Sequence, residues 1–163
     1  MNIKTIITLL SIAFAAPTVR YQQKPVQLYA QTGQYMTIRH SGVVKPIRGR
    51  PSLTSLIDII PVAGEAGEFV LRGLATGLYV NIKKNRKLQA VPFSKEATHF
   101  VEEMISENNF NTYRLKSNPN CRLTTSNNQF KIQCHHRIKM KKMSFLPRRT
   151  HLRLHLQNRG LDA

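Results

Sequence analysis

The stretch Thr32-Gly33-Gln34-Tyr35-Met36-Thr37-Ile38 is repeated 44 residues later as Thr76-Gly77-Leu78-Tyr79-Val80-Asn81-Ile82. The two copies share the pattern T-G-x-Y-x-x-I, and a decayed third copy can be placed at Pro119-Asn120-Cys121-Arg122-Leu123-Thr124. Each copy leads into residues that favour a tight turn. These turns are centred on His40-Ser41-Gly42, Lys84-Asn85-Arg86 and Ser126-Asn127-Asn128.

Three units of about forty residues, each with four short strands, predict an all-β fold. The predicted architecture is a β-trefoil, a pseudo-threefold barrel of twelve short strands capped by hairpins. Propeller blades have a similar period, but three blades are too few to close a propeller. The segment 95–108 also fits a helix, because Phe100, Val101, Met104 and Ile105 would form an apolar stripe on it.

Within the repeat, Gly33 and Gly77 are expected to adopt positive φ or a tight turn. The apolar residues that follow each glycine are expected to point into a core shared by all three units. The expected core residues are Tyr35, Ile38, Tyr79 and Ile82, and the expected outward residues are Thr37 and Asn81.

The composition indicates a basic domain with an anionic partner. The 163 residues include 25 Lys and Arg against 8 Asp and Glu, for a net charge of +17. Seven of the acids lie between Asp58 and Glu107. From residue 108 onward the chain has twelve Lys and Arg but a single acid, Asp162. Two cysteines are too few for a disulfide framework or a four-cysteine zinc site.

The chain is predicted to be secreted. Residues 1–15 combine Lys4, an apolar run and Ala13-Phe14-Ala15, which is typical of a signal peptide. A buried first strand or a short anchor is the alternative, but the run is shorter than the roughly twenty residues of a spanning helix. Residues 16–25 are expected to be a flexible lead-in, 26–148 the β-trefoil domain and 149–163 a basic tail. The tail is interpreted as a disordered cationic extension, with an added strand or a membrane-surface element as alternatives.

The sequence contains no motif for an enzyme, a cofactor or a metal. Its six histidines form no H-E-x-x-H arrangement, and neither G-x-S-x-G nor a phosphate-binding glycine loop occurs. His151 and His155 have a spacing that could bind a metal on a helix, but the only carboxylate near them is Asp162. Cys121 and Cys134 would be able to pair in a secreted chain, although their spacing alone does not decide it.

Several segments resemble the fibroblast growth factors from about Leu28 to Arg148. The most specific are Asn108-Asn109-Phe110-Asn111-Thr112-Tyr113 and Phe145-Leu146-Pro147-Arg148, supported by Gly67-Glu68-Phe69-Val70-Leu71-Arg72. His99 stands where the family commonly has a cysteine, and Phe110 lacks the hydroxyl of the usual tyrosine. The resemblance therefore implies a divergent member with altered receptor preference.

The resemblance implies two binding surfaces. One would meet the immunoglobulin-like ectodomain of a fibroblast growth factor receptor, where aromatic, Arg and Glu side chains supply the usual hot-spot chemistry. Its residues are Tyr29, Arg48, Glu103, Asn108, Phe110 and Leu146. The alternatives are core packing for Tyr29 and Phe110, and a solvated charge for Glu103.

The other surface would bind heparan sulfate or heparin, because several Lys and Arg contacts suit a sulfated glycan as they suit other polyanions. Its residues are Thr32, Lys131, Arg137, Lys139, Lys141 and Lys142. A basic face kept for solubility is the alternative. Nucleic acid is not expected as a partner, because the aromatics are not interleaved with the basic run and the chain is predicted to be exported.

The sequence thus predicts a secreted growth factor that activates receptor tyrosine kinases with heparan sulfate as co-receptor. The resemblance implies that its output is proliferation, migration or patterning, without catalysis and without membrane insertion. The alternative is a non-signalling secreted β-trefoil, such as a glycan-binding decoy or a protease inhibitor.

Overall fold

A computed structural model describes residues 24–105, 109–126, 128–134 and 137–149. Twelve strands make up nearly all of its regular structure, together with one helical turn, α1, and two short 3-10 helices. The elements are β1 (Val26–Ala30), β2 (Gln34–Ile38), β3 (Val44–Ile47), β4 (Leu56–Pro61), β5 (Glu68–Gly73), β6 (Tyr79–Ile82), β7 (Leu88–Val91), β8 (Phe100–Met104), β9 (Asn111–Leu115), β10 (Arg122–Ser126), β11 (Gln129–Gln133), α1 (Met140–Met143) and β12 (Phe145–Arg149).

Six of the strands close into a barrel. The antiparallel pairs run from β1 to β4, β5, β8, β9 and β12, and β12 pairs with β1 again. Closure leaves no free edge in this ring, which removes the exposed backbone groups of an open sheet. The buried core contains aromatic rings from several strands: Tyr113 lies 5.2 Å from Phe69 and 5.7 Å from Phe145 between ring centroids.

The remaining strands form three hairpins, β2–β3, β6–β7 and β10–β11. Their turns fall at the three turn segments that the repeat predicts. The hairpins also contact one another: the Ala90 amide donates to the Gly42 carbonyl, and the Ile132 amide donates to the Arg86 carbonyl, each at 2.8 Å. A six-stranded barrel with three capping hairpins is a β-trefoil, so the predicted fold is confirmed.

The repeated glycines have the predicted backbone conformation. Gly33 has φ of 86° and Gly77 has φ of 69°, a region that residues with a side chain rarely adopt. The turns that contain them lead from β1 into β2 and from β5 into β6, where the Gly33 amide donates to Ala30 and the Gly77 amide to Gly73. The decayed third copy has the equivalent turn without glycine, since the Cys121 amide donates to Asn118.

The sequence predicted wrongly which side chains of β2 are buried. Thr37 was expected to point outward, but it is 1% exposed and its hydroxyl donates to the Lys45 carbonyl at 2.7 Å. Met36 is fully buried, whereas Tyr35 is only half-buried. In a strand, residues two apart share a face, so Met36 and Ile38 form the core pair, and Tyr35 lies on the other face with Thr37.

The helical alternative for 95–108 is wrong for the part that the structure describes. Ser94–Glu96 forms a 3-10 turn, and β8 then pairs with both β5 and β9. Tertiary pairing decides this segment, because β8 completes the barrel.

Cys121 and Cys134 form a disulfide. Within the described part of the chain, no helix has both the length and the apolar character needed to cross a membrane. The predicted signal peptide, and nearly all of the lead-in and of the tail, lie outside the described residues.

Candidate functional site

A row of half-buried apolar side chains crosses adjacent strands. Tyr29 in β1 pairs with Leu146 in β12 on one side and with Tyr35 in β2 on the other. The two tyrosine rings lie 4.9 Å apart between centroids. None of these side chains is fully buried, so the core-packing alternative for Tyr29 does not fit.

Phe110 extends this row. Asn111 pairs with Phe145 across β9 and β12, so the preceding residue, Phe110, lies next in register to Leu146. Phe110 is half-buried, and its carbonyl accepts from the Ile105 amide at 2.9 Å. Asn109 has φ of 58° in the turn before it, a conformation that Asn tolerates better than most residues. We call Tyr29, Tyr35, Phe110 and Leu146 the apolar row. Asn108 lies outside the described residues.

Arg48 lies at the β3 end of the apolar row. It is exposed and follows Ile47, which pairs with Tyr35. The structure therefore brings three of the six residues predicted for this surface, Tyr29, Phe110 and Leu146, into one row, and Arg48 directly follows the β3 residue that pairs with Tyr35.

Glu103 is an ion-paired residue on β8. Its carboxylate accepts from Arg114 Nε at 2.8 Å and from an Arg122 guanidinium nitrogen at 3.1 Å. Arg114 and Arg122 are themselves partners in the β9–β10 register, so Glu103 separates two like charges on one sheet surface. Its carboxylate is therefore ion-paired on both sides, while 39% of the side chain stays exposed.

Sequence reasoning missed Arg148. Its guanidinium carbon lies 3.7 Å from the centroid of the Tyr29 ring, and one guanidinium nitrogen donates to the Tyr35 hydroxyl at 3.0 Å. Arg over an aromatic face is a cation–π contact. The sequence segment Phe145-Leu146-Pro147-Arg148 shows only that Arg148 lies two residues after Leu146. Pairing of β12 with β1 brings Arg148 over the Tyr29 ring.

Thr32 anchors the second candidate surface. Its hydroxyl lies 3.0 Å from the hydroxyl of Thr125 in β10. The Thr125 hydroxyl also donates to the Lys142 carbonyl at 3.5 Å, and Gln34 donates to Asn128 at 3.4 Å. The β1–β2 loop, the β10–β11 hairpin and α1 are therefore joined by side-chain hydrogen bonds.

The predicted cations lie on these elements. Arg137, Lys139, Lys141 and Lys142 are all exposed in and just before α1. Lys131 is half-buried on β11, opposite Thr124. We call Thr32, Lys131, Arg137, Lys139, Lys141 and Lys142 the basic surface.

The acids lie elsewhere. All ion pairs among the described residues use Asp58, Glu65, Glu68 or Glu103. Hydrogen bonds from Lys116 and His99 hold the pKa of Glu68 below its usual value, and Glu65 and Glu68 raise the pKa of Lys116. No described acid lies on β10, β11 or α1, so nothing in these elements neutralises the basic surface.

Neither surface has the make-up of a reaction centre. Among residues 24–105, 109–126, 128–134 and 137–149, no three His, Cys, Asp or Glu side chains come together as a metal site. An apolar row with aromatic rings and a cationic surface are the residue types found at protein and polyanion interfaces.

Comparisons with known proteins identify the family. The family model described as fibroblast growth factor matches residues 24–146. Fibroblast growth factor 1 of Notophthalmus viridescens is 34% identical over 95 residues, covering 58% of this chain and 70% of the relative. Fibroblast growth factor 1 of Cynops pyrrhogaster is 31% identical over 110 residues, covering 63% and 72%. The chain belongs to the fibroblast growth factor family, and it is a growth factor and not an enzyme.

Proposed function

We propose that this growth factor is secreted, binds heparan sulfate through the basic surface, and activates a receptor tyrosine kinase through the apolar row with Arg48 and Glu103. The immunoglobulin-like ectodomain of a fibroblast growth factor receptor is the proposed partner. The signalling output is proliferation, migration or patterning.

The observation that carries the receptor proposal is the apolar row, with Arg48 following the strand that pairs with Tyr35. Its aromatic rings are held by strand pairing and are half-buried, so a partner would cover them at little cost in conformational entropy. Rigid aromatic side chains beside an Arg are the usual centre of a protein interface.

The glycan proposal is supported by charge separation. The basic surface collects cations on elements without a described acid. A sulfated glycan would release counterions from such a surface, and binding would weaken steeply with salt. Simultaneous glycan and receptor binding would strengthen assembly by raising the effective concentration of each partner.

Secretion is supported by the disulfide between Cys121 and Cys134. Disulfides persist in oxidising compartments and are rare in the cytosol. The predicted signal peptide, residues 1–15, would provide the route of export.

The decisive experiment is receptor phosphorylation in responsive cells, with and without heparan sulfate. We expect phosphorylation that depends on the glycan. Heparin binding without any receptor phosphorylation would instead support a non-signalling glycan-binding protein.

Two variants test the surfaces separately. Glu103→Ala should reduce receptor activation and leave elution from immobilised heparin unchanged, with the exposed Glu96→Ala as matched control. Lys131→Ala combined with Lys141→Ala should lower heparin affinity and reduce its dependence on salt. Loss of both activities in Glu103→Ala would indicate misfolding, and unchanged heparin elution of the lysine variant would refute the glycan assignment.

A further inference from the structure

The β6–β7 hairpin carries a second group of cations that the basic surface does not include. Lys83, Lys84, Arg86 and Lys87 are all exposed at its turn. The turn is well defined: the Arg86 amide donates to Lys83, and the Lys83 amide donates to Lys87, each at 2.8 Å. Four cations are therefore held within one tight loop.

This hairpin is docked against the strand that carries Lys131. Lys87 and Lys131 are partners in an isolated antiparallel bridge, and the Ile132 amide donates to the Arg86 carbonyl at 2.8 Å. Bridged backbones lie about 5 Å apart, so the hairpin cations continue directly from the edge of the basic surface.

The arrangement carries an electrostatic cost. Like charges opposite each other across neighbouring strands are destabilising, and the described part of the β6–β7 hairpin contains no acid that would offset the pair formed by Lys87 and Lys131. A bound polyanion would relieve this repulsion and release the counterions of both lysines.

We propose that the glycan-binding surface extends from Lys131 onto the β6–β7 hairpin, with Lys84 and Lys87 as additional contacts to the sulfated chain. This inference rests on the proposed glycan binding and makes one further claim. The protein takes a longer glycan segment than the cations around α1 can occupy.

Dependence on glycan length tests this claim. The experiment measures binding of the full chain to a heparin tetrasaccharide and to a heparin dodecasaccharide by surface plasmon resonance at physiological salt. Lys84→Ala with Lys87→Ala should weaken dodecasaccharide binding about tenfold, because two cation contacts are lost. The affinity for the tetrasaccharide should stay within about twofold of that of the wild-type protein, because the shorter glycan contacts only the cations near α1.

Two controls separate the outcomes. Lys24→Ala with Lys95→Ala removes the same charge from exposed positions elsewhere and should leave dodecasaccharide affinity nearly unchanged. Lys141→Ala with Lys142→Ala should weaken binding of both oligosaccharides. Urea unfolding of each variant checks that the fold is kept.

An equal loss in the Lys24 and Lys95 control would overturn the proposal, because net charge alone would then explain the effect. Equal loss for both oligosaccharides in the hairpin variant would overturn it as well. If the hairpin variant binds normally while the α1 variant loses both ligands, the extension fails and the proposed glycan function stands. If the unchanged protein binds neither oligosaccharide, the proposed glycan function itself fails.

Discussion

Breaking the disulfide between Cys121 and Cys134 should lower the free energy of unfolding by about 3 kcal/mol. The bridge joins residues 13 positions apart and closes the β10–β11 hairpin at the end opposite its turn. In the chain-entropy description, a cross-link over a loop of this size removes about 10 cal/mol/K from the unfolded chain, which is about 3 kcal/mol near room temperature.

The perturbation is made in two ways. Reduction with dithiothreitol keeps both sulfur atoms, whereas Cys121→Ala with Cys134→Ala removes them. Cys121 is 3% exposed and packs in the core, so the alanine variant also loses buried volume. We expect the reduced protein to lose about 3 kcal/mol and the alanine variant somewhat more.

Urea unfolding followed by far-ultraviolet circular dichroism measures the loss, since the sequence has no tryptophan to serve as a fluorescent reporter. Reduced and oxidised protein are compared at the same pH and temperature. A difference below about 0.5 kcal/mol would refute the reasoning, because the closed loop would then restrict the unfolded chain far less than its length requires.

Three further predictions concern stability. Glu68→Gln should destabilise the protein at neutral pH: Lys116 and His99 hold the pKa of Glu68 below its ordinary value of 4.5, so its contribution is present above that value and is lost as the pH falls through the lower folded-state pKa. The difference in urea midpoint between Glu68→Gln and the wild-type protein should therefore be larger at pH 7 than at pH 3. An equal difference at the two pH values would contradict this. Gly42→Ala should lower the free energy of unfolding more than Gly64→Ala does. Both glycines have positive φ, but a Cβ at Gly42 would lie 2.8 Å from the Ala90 carbonyl oxygen, whereas a Cβ at Gly64 would meet open space. The strain common to both is about 1 kcal/mol, and equal losses in urea unfolding would show that the close approach costs nothing. Arg148→Ala should lower the free energy of unfolding by about 0.5–1 kcal/mol, because the contact with Tyr29 is lost. Arg149→Ala, which changes an exposed neighbour, should have little effect. Identical urea midpoints of the two variants would refute a stabilising contact.

The repeat made the fold predictable because it combines local and non-local information. Gly33 and Gly77 mark turns that need positive φ, which is a property of the single residue. The recurrence of the pattern implies units that bury their apolar faces only together. Those two facts lead to the β-trefoil without knowledge of any individual contact.

The face on which a strand residue lies, and the partners of its side chain, were harder to predict from the sequence. The repeat predicted that Tyr35 and Ile38 share the core face and that Thr37 is exposed, but residues three apart lie on opposite faces of a strand, so Tyr35 lies with Thr37. Hydrogen bonding to the Lys45 carbonyl lets the Thr37 hydroxyl be buried. The apolar stripe of Phe100 and Met104 likewise fits a helix locally, and only pairing with β5 and β9 makes it a strand.

The candidate surfaces divide in the same way. The family resemblance, the excess of cations in the last third of the chain and the residue types of both surfaces follow from the amino-acid sequence alone. Tertiary structure decided that Arg148 lies over Tyr29, that Glu103 lies between Arg114 and Arg122, and that the β6–β7 hairpin adjoins Lys131. The first and the last of these contacts join strands far apart in the chain, and all three depend on strand pairing. Charge and residue type are properties of the sequence, whereas the distance between two charges exists only once the barrel has closed.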